Sequence, residues 1–244
     1  MEFTDEIKSF DDFRSIVRNI TPDERYFFRG EGRDYYSLIP KVGRAKKNLL
    51  SLGYYDEHSI FERFKNHATG LVSHPPKNEW EWLALAQHHG LPTRLLDWST
   101  NPLVALYFAV SESMNPIDLK KEQLVNPKYQ GDAAFYFLTI KSSFINTDTI
   151  RKPFKHEHVG IFKPPHVTNR IKAQSGLFTI QPDPHQPLNE RLKKSAIRKY
   201  KIPHSARDDI RRELRLFGIH QAFIYPDLDG LASHLQSMLI ERQS

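Results

Sequence analysis

Gln87-His88-His89-Gly90-Leu91-Pro92-Thr93-Arg94-Leu95-Leu96-Asp97-Trp98-Ser99-Thr100-Asn101-Pro102 is the stretch on which the reading of this chain turns. Upstream of it, Asn78 with Glu81 forms a capping-box start, and Trp82, Leu85, Ala86 and His89 fall on one helical face. Gly90 suits the position just past the helix end, and Pro92 prevents continuation. Thr93 to Trp98 is short and extended. Asn101 and Pro102 then supply an N-cap and a first-turn proline for a helix whose buried stripe is Leu103, Leu106, Tyr107 and Val110. One passage therefore reads helix, turn, strand, helix, and it carries nearly every functional side-chain type.

The flanks extend this pattern. Ser9 with Asp12 caps a first helix bearing Phe13, Ile16, Val17 and Ile20, which Thr21-Pro22-Asp23 ends. Arg25 to Gly30 is β-prone, and the basic Lys41–Lys47 stretch is irregular. Asp56 to about Gly70 is a helix with Ile60, Phe61, Phe64 and Ala68 inward. Residues Pro116 to Gln130 form an excursion, Ala133 to Ile140 a strongly apolar strand, and Lys141 to Pro165 a loop-rich region. Gly176 to Gln181, Arg198 to Ile202 and Gln221 to Tyr225 are strands. Ser205 and Asp208 cap a helix that ends at Gly218, and Asp227 or Asp229 caps a terminal helix with Leu231, Leu235, Met238 and Leu239. Helices and strands mix without regular alternation and no linker divides them. The expectation is a single α+β domain over residues 1–244, with a mixed or antiparallel sheet core surrounded by helices.

Composition narrows the function classes. The 244 residues contain no cysteine, which excludes a disulfide scaffold, a thiolate nucleophile and a cysteine-ligated metal. No apolar run approaches the roughly 20 residues that span a bilayer. Met1-Glu2-Phe3-Thr4-Asp5-Glu6 lacks the apolar core of a signal peptide, so a cytoplasmic location without membrane association is expected. The formal charge of +6 raises the odds of an anionic partner. The basic runs Arg191–Lys201, with Tyr200 interleaved, and Arg207–Arg215 offer phosphate contacts to a nucleic acid, or are a solvated surface. No P-loop, GxGxxG, GxSxG or HExxH pattern is present. His88-His89 and His156-x-His158 lack an acidic residue at ligand spacing, so no metal is expected.

Two features ask for an explanation. Arg29, embedded in an apolar strand next to Gly30, must find an acceptor. Asp97 could neutralise it, or its guanidinium could clamp a phosphate or carboxylate bidentately. In the quoted stretch, Arg94, Asp97 and Ser99 emerge around Leu95-Leu96, either as a structural network or as a site. The sharpest expectation is that Arg29 shares a pocket with the Trp98-Ser99-Thr100 corner and is open there to a ligand's negative charge.

Tyr26-Phe27-Phe28-Arg29-Gly30-Glu31, Leu38-Ile39-Pro40-Lys41-Val42-Gly43-Arg44 and the Gln87–Ala109 block resemble the FRG domain family, named for its Phe-Arg-Gly. Asn169–Phe178, Phe217-Gly218-Ile219 and Tyr225–Ala232 are similar to its later motifs, so the resemblance spans about residues 20–240. It implies a bacterial or phage setting, with a toxin or phage-defence role. A second resemblance is to ADP-ribosyltransferases, which place an arginine on an early strand, a Ser-Thr pair on a later strand before a helix, and a glutamate or glutamine near the C-terminal part of a sheet that can be split. Arg29 and Trp98-Ser99-Thr100 fit that order, with Gln174 or Glu213 for the third element; no Glu-x-Glu or Gln-x-Glu turn is visible.

That resemblance implies an enzyme using NAD as substrate, with Arg29, Ser99, Gln174 and Glu213 as catalytic candidates. Arg29, Gly30, Thr93, Arg94, Asp97, Trp98 and Ser99 would hold the NAD. Arg29 and Arg94 would take the pyrophosphate, Trp98 would stack the nicotinamide and Ser99 would orient the ribose. Breaking the nicotinamide–ribose bond passes through an oxocarbenium-like state, as in glycoside cleavage, and needs positioning and electrostatics more than a metal. The acceptor would be a nucleic acid or a protein, and an antitoxin or other regulatory protein would be a partner. The alternatives are a non-catalytic nucleotide- or nucleic-acid-binding module, and a nuclease using His88 or His89 with Asp97 as base.

Overall fold

The computed structural model describes residues 1–20, 25–44, 56–111, 117–118, 123–124, 131–140, 144–165 and 168–241. The expected end of the first helix at 21–23, the 45–47 part of the basic stretch and most of the 116–130 excursion lie outside them.

The short strand β1 (Asp5–Glu6) leads into α1 (Phe10–Arg18). Ser9 Oγ accepts the Asp12 N–H at 3.1 Å, while the Asp12 carboxylate reaches back to the Lys8 N–H at 3.0 Å. β2 (Tyr26–Glu31) follows, then a 3₁₀ turn over Lys41–Arg44, then α2 (Glu57–Ala68) capped by Asp56 and α3 (Glu79–His88) capped by Asn78. Gly90 adopts φ +88 just past α3, the left-handed conformation that ends helices without steric cost in glycine. β3 (Leu96–Ser99) and α4 (Pro102–Ser111) complete the quoted stretch as expected, with Asn101 Oδ1 accepting the Leu103 N–H at 2.9 Å. The ribbon β4 (Ile117–Asp118) and β5 (Gln123–Leu124) stands apart from the main sheet. β6 (Ala133–Thr139), β7 (Gly160–Phe162), α5 (Asn169–Ala173), β8 (Gly176–Ile180), α6 (Leu188–Arg191), β9 (Ile197–Ile202), α7 (Arg207–Leu216), α8 (Gln221–Ile224) and α9 (Leu228–Glu241) follow.

The main sheet has the order β1-β9-β6-β2-β3-β8-β7, antiparallel throughout except for the parallel β1–β9 edge. This is a single α+β domain with a mixed sheet. The centre of the sheet is buried on both faces, which is why β6 is a continuous apolar run rather than an alternating one. Phe135 and Phe137 pack with Phe13, Phe28, α4 and α7 on one face; Ala134, Tyr136 and Leu138 pack with Phe27, Leu96 and Trp98 on the other. A third cluster, of Phe61, Trp80, Leu83, Leu95, Phe162 and Phe178, lies beneath α2 and α3. α4 is apolar all round because it crosses β2 within the core.

The sheet has one weak seam. β2 pairs with β6 over six residues, from Tyr26↔Thr139 to Glu31↔Ala134, and β3 pairs with β8 over four. Between β2 and β3 the ladder holds only one registered pair, Phe28↔Ser99. Two halves, β1-β9-β6-β2 and β3-β8-β7, are thus stitched together at one point.

Three local expectations are corrected. Gln221–Ile224 is a helical turn, not a strand: its amides bond locally, the Ile224 N–H to the His220 carbonyl at 3.0 Å and the Tyr225 N–H to the Gln221 carbonyl at 2.8 Å. The helix at 207 begins after a 3₁₀ turn at His204–Ala206 and has Ala206 at its N-cap position, so Ser205 does not cap it. The loop-rich 141–165 region contains β7. Among the described residues no helix is long and apolar enough to cross a membrane.

Candidate functional site

Beyond Phe28↔Ser99, β2 and β3 diverge, and a cleft of about 360 Å³ opens at the seam. That volume is within the range of small-molecule sites. Of the expected residues, Arg29, Gly30, Asp97, Trp98, Ser99 and Gln174 line it together. Phe28, Gln87, His88, Phe108 and Arg170 also face it.

Arg29 does reach this cleft, but its charge is not open. Its Nε donates to Glu31 Oε1 at 2.9 Å, its Nη2 donates to the same oxygen, and its Nη1 donates to the Asp97 carbonyl at 2.6 Å. Burial works against the charge, and the Glu31 and Asp97 carboxylates more than offset it, raising the guanidinium pKa above its already high value. Asp97, expected as the neutralising acid, contributes through its backbone and a longer 3.8 Å ion pair; the close partner is Glu31, two residues on and therefore on the same face of β2. Glu31 is further approached by Arg44 at 3.4 Å. Three of the five guanidinium N–H groups are thereby used within the protein.

Gly30 is explained by packing. A Cβ there would lie 1.9 Å from the Ala105 carbonyl oxygen and 2.4 Å from the Ala109 nitrogen, both backbone atoms of α4. The glycine of Phe-Arg-Gly lets a buried helix cross the strand at close range.

Ser99 is committed as well. Its hydroxyl donates to the Gln174 carbonyl at 2.7 Å and accepts the Asn101 N–H at 2.9 Å, which spends its only proton. Thr100 N–H donates to the Ser175 carbonyl at 3.1 Å. Ser175 has φ +48, the only positive φ on a non-glycine among the described residues. The Ser-Thr corner therefore clamps the turn before β8 and sets Gln174 at the cleft. The Gln174 side chain donates to the Ile224 carbonyl at 3.2 Å.

Trp98 is 3% exposed, and its indole N–H donates to Thr179 Oγ1 at 3.0 Å. It cannot present a face for nicotinamide stacking; Phe108, half-buried on α4, is the more accessible ring. Thr93 and Arg94 do not line the cleft. Thr93 is buried and donates to Gln87 Oε1 at 2.6 Å. Arg94 is closed by Glu57 (Nη2 to Oε2 2.8 Å) and lies over the Phe154 ring. Glu213 is exposed on α7, away from the cleft lining. Asp97 holds its carboxylate at the mouth, 59% exposed, where it accepts from Gln87 Nε2 at 2.9 Å.

Burial, with His89 and Arg170 nearby, pulls the His88 pKa down to about 4 against a smaller opposing pull from Asp227, so this ring is neutral at pH 7. His88 and Asp97 form no hydrogen bond among the described residues. His156 is pulled down by burial and by His158, and no group of three or more candidate metal ligands occurs among the described residues.

Some cations of the basic runs have partners within the chain. Lys199 donates to the Asp34 carbonyl at 2.6 Å, Lys201 pairs with Glu6, and Arg212 pairs with Asp209 at 3.1 Å. Tyr200 is buried, and Arg207 is fully so.

Fold and cleft thus define a mixed-sheet α+β domain with a ligand-sized site at a seam in its sheet. Residues 24–117 match the family model of the FRG domain. The match takes in the Phe-Arg-Gly strand, the Leu38–Arg44 segment and the whole Gln87–Ala109 block, but not the segments at 169–178 and 217–232 to which the resemblance was extended. Comparison with curated proteins and with solved structures gave no match.

Proposed function

We propose that this protein is an ADP-ribosyltransferase-like enzyme that takes NAD as substrate in the seam cleft and passes its ADP-ribose to a nucleic-acid or protein acceptor. The observation that carries the reading is the coincidence of three things at one opening: the arginine strand, the Trp-Ser-Thr strand, and a glutamine on the turn clamped by that Ser-Thr pair. A sheet that parts between those strands supplies a slot for an extended ligand.

In the reaction, the bond between the nicotinamide nitrogen and ribose C1′ breaks and its electron pair returns to the ring, neutralising the pyridinium. A lone pair of the acceptor then bonds to C1′. The Gln174 amide is placed to hold a ribose hydroxyl, and the exposed Asp97 carboxylate is placed to take the acceptor's proton. Arg29 positions Glu31 and the Asp97 backbone. Base and positioning contributions of this kind are worth roughly 10²–10⁴ in rate. The commitment of the Ser99 hydroxyl and of Glu31 favours the second reading, a nucleotide-binding module without turnover.

Turnover separates the two. With NAD and a mixture of cellular RNA and protein, the wild-type chain is expected to release nicotinamide, and Gln174→Ala and Asp97→Asn to lower that rate by 10²-fold or more while each variant remains folded at the assay temperature. NAD that raises the melting temperature but is never cleaved supports the binding module. Millimolar NAD that neither stabilises the chain nor is consumed ends both.

A further inference from the structure

We propose that the cation receiving the ligand's negative charge is Arg170 rather than Arg29, and that the cleft takes a nucleoside diphosphate moiety with its phosphates on Arg170. This inference rests on the cleft being a nucleotide site. Four arginines near the quoted stretch and its neighbours can be compared. Arg29 is matched by Glu31, Arg94 by Glu57, and Arg44 donates to the Ile39 carbonyl at 2.9 Å and leans toward Glu31. Arg170 lines the cleft, and its guanidinium has neither an ion pair nor a hydrogen bond to any described residue. Its guanidinium lies over the Tyr225 ring at 4.4 Å. An aromatic face steadies a guanidinium without consuming its N–H donors, so the edge stays available for the planar, two-point grip that Arg makes on phosphate.

No carboxylate of a described residue lies within ion-pair distance of that guanidinium. Asp227, the nearby acid, is turned to the start of α9, where it accepts the Gly230 N–H at 2.7 Å. Gln174, four residues on from Arg170, is tied to the Ile224 carbonyl, so α5 and the segment ending in Tyr225 are braced together as one wall of the cleft. That brace places the phosphate grip and the ribose-holding amide on the same wall, as a ribose 5′-phosphate linkage requires.

The test is calorimetric titration of the full chain and of Arg170→Ala, Arg170→Lys and Tyr225→Leu with ADP, ADP-ribose, inorganic pyrophosphate and nicotinamide. ADP and ADP-ribose are expected to bind at least tenfold more weakly to Arg170→Ala, with partial recovery in Arg170→Lys and a smaller loss in Tyr225→Leu. Nicotinamide binding should not change. Pyrophosphate bound as tightly as ADP would show a free-anion site and overturn the nucleoside part of the proposal. Wild-type affinity for ADP in a correctly melting Arg170→Ala, or no ADP binding to the wild type at millimolar concentration, would overturn it whole. Failure of the enzymatic reading is distinct: it appears as Arg170-dependent ADP binding without nicotinamide release. Conversely, NAD turnover with an unchanged KM in Arg170→Ala sinks this inference and leaves that reading standing.

Discussion

Replacing Gly30 with alanine tests whether the glycine of the Phe-Arg-Gly strand serves packing or ligand approach. An added Cβ would sit 1.9 Å from the Ala105 carbonyl oxygen and 2.4 Å from the Ala109 nitrogen. Both are main-chain atoms of α4, so no side-chain rotation relieves the contact, and the helix must move off β2 by about 1 Å or more to restore ordinary packing distances. Its neighbours Val104, Ala105, Leu106, Tyr107, Ala109 and Val110 are all buried, so the displacement propagates into the core. Overpacking of this kind costs about 1–3 kcal/mol, and the rigid obstacle places this case at the upper end. For a chain of this length each kcal/mol lowers the melting temperature by roughly 2–4 °C, so a fall of about 6–12 °C is expected. Thermal and urea unfolding followed by circular dichroism would measure it. The added substitution Ala105→Gly should not rescue the loss, because the obstructing oxygen belongs to the backbone. A Gly30→Ala chain that melts within about 1 °C of wild type, or a rescue by Ala105→Gly, would refute the packing account.

Three further outcomes follow from the same contacts. Glu31→Gln leaves the Arg29 guanidinium, 13% exposed, without its close carboxylate; breaking such a buried pair costs about 3–5 kcal/mol, and the paired change Arg29→Met with Glu31→Leu should recover most of that in a urea-midpoint comparison. His88 titrates at about 4 in the folded chain against its ordinary 6.5, so between those values the unfolded state binds more protons, and its contribution to stability is present above pH 6.5 and lost as pH falls toward 4. A His88→Gln chain should show a flatter fall in melting temperature from pH 7 to 5, with His156 and His220, whose pKa values burial also lowers, adding to the slope that remains. Glu57→Ala opens the Arg94 pair and should destabilise by about 3 kcal/mol while leaving ADP affinity unchanged, because Arg94 does not line the cleft.

Much of the architecture could be read in advance because its signals are local. Ser9 with Asp12, Asn78 with Glu81, Asn101 with Pro102, and Asp227 each announce a helix within four residues, and the structure realises each. The strands at 26–31, 133–139 and 176–180 carry their own apolar runs. β1 and β7 are invisible for the opposite reason: two and three residues hold too little pattern, and only the waiting edges of β9 and β8 order them. At the site, the residues were found more readily than their roles. Glu31 as the partner of Arg29 was within reach, since residues two apart on a strand share a face. Arg170 and Phe108 lie 141 and 79 residues from Arg29 in sequence, and nothing local ties them to it; the topology alone brings them to one opening.

The conspicuous residues are the ones that build the opening. Gly30 admits α4, Glu31 satisfies Arg29, and Ser99 with Thr100 ties down the 174–175 turn at a backbone angle that serine adopts only under constraint. Each of these contacts closes one side of the seam left by the single Phe28↔Ser99 pair. A motif rich in polar side chains and glycine therefore marks a sheet that must part without unravelling. The groups left with unused capacity, Arg170, Gln174 and the Asp97 carboxylate, stand around the gap those contacts hold open. On the proposed reading the chemistry comes from them, and substitutions there should change ligand handling before they change folding.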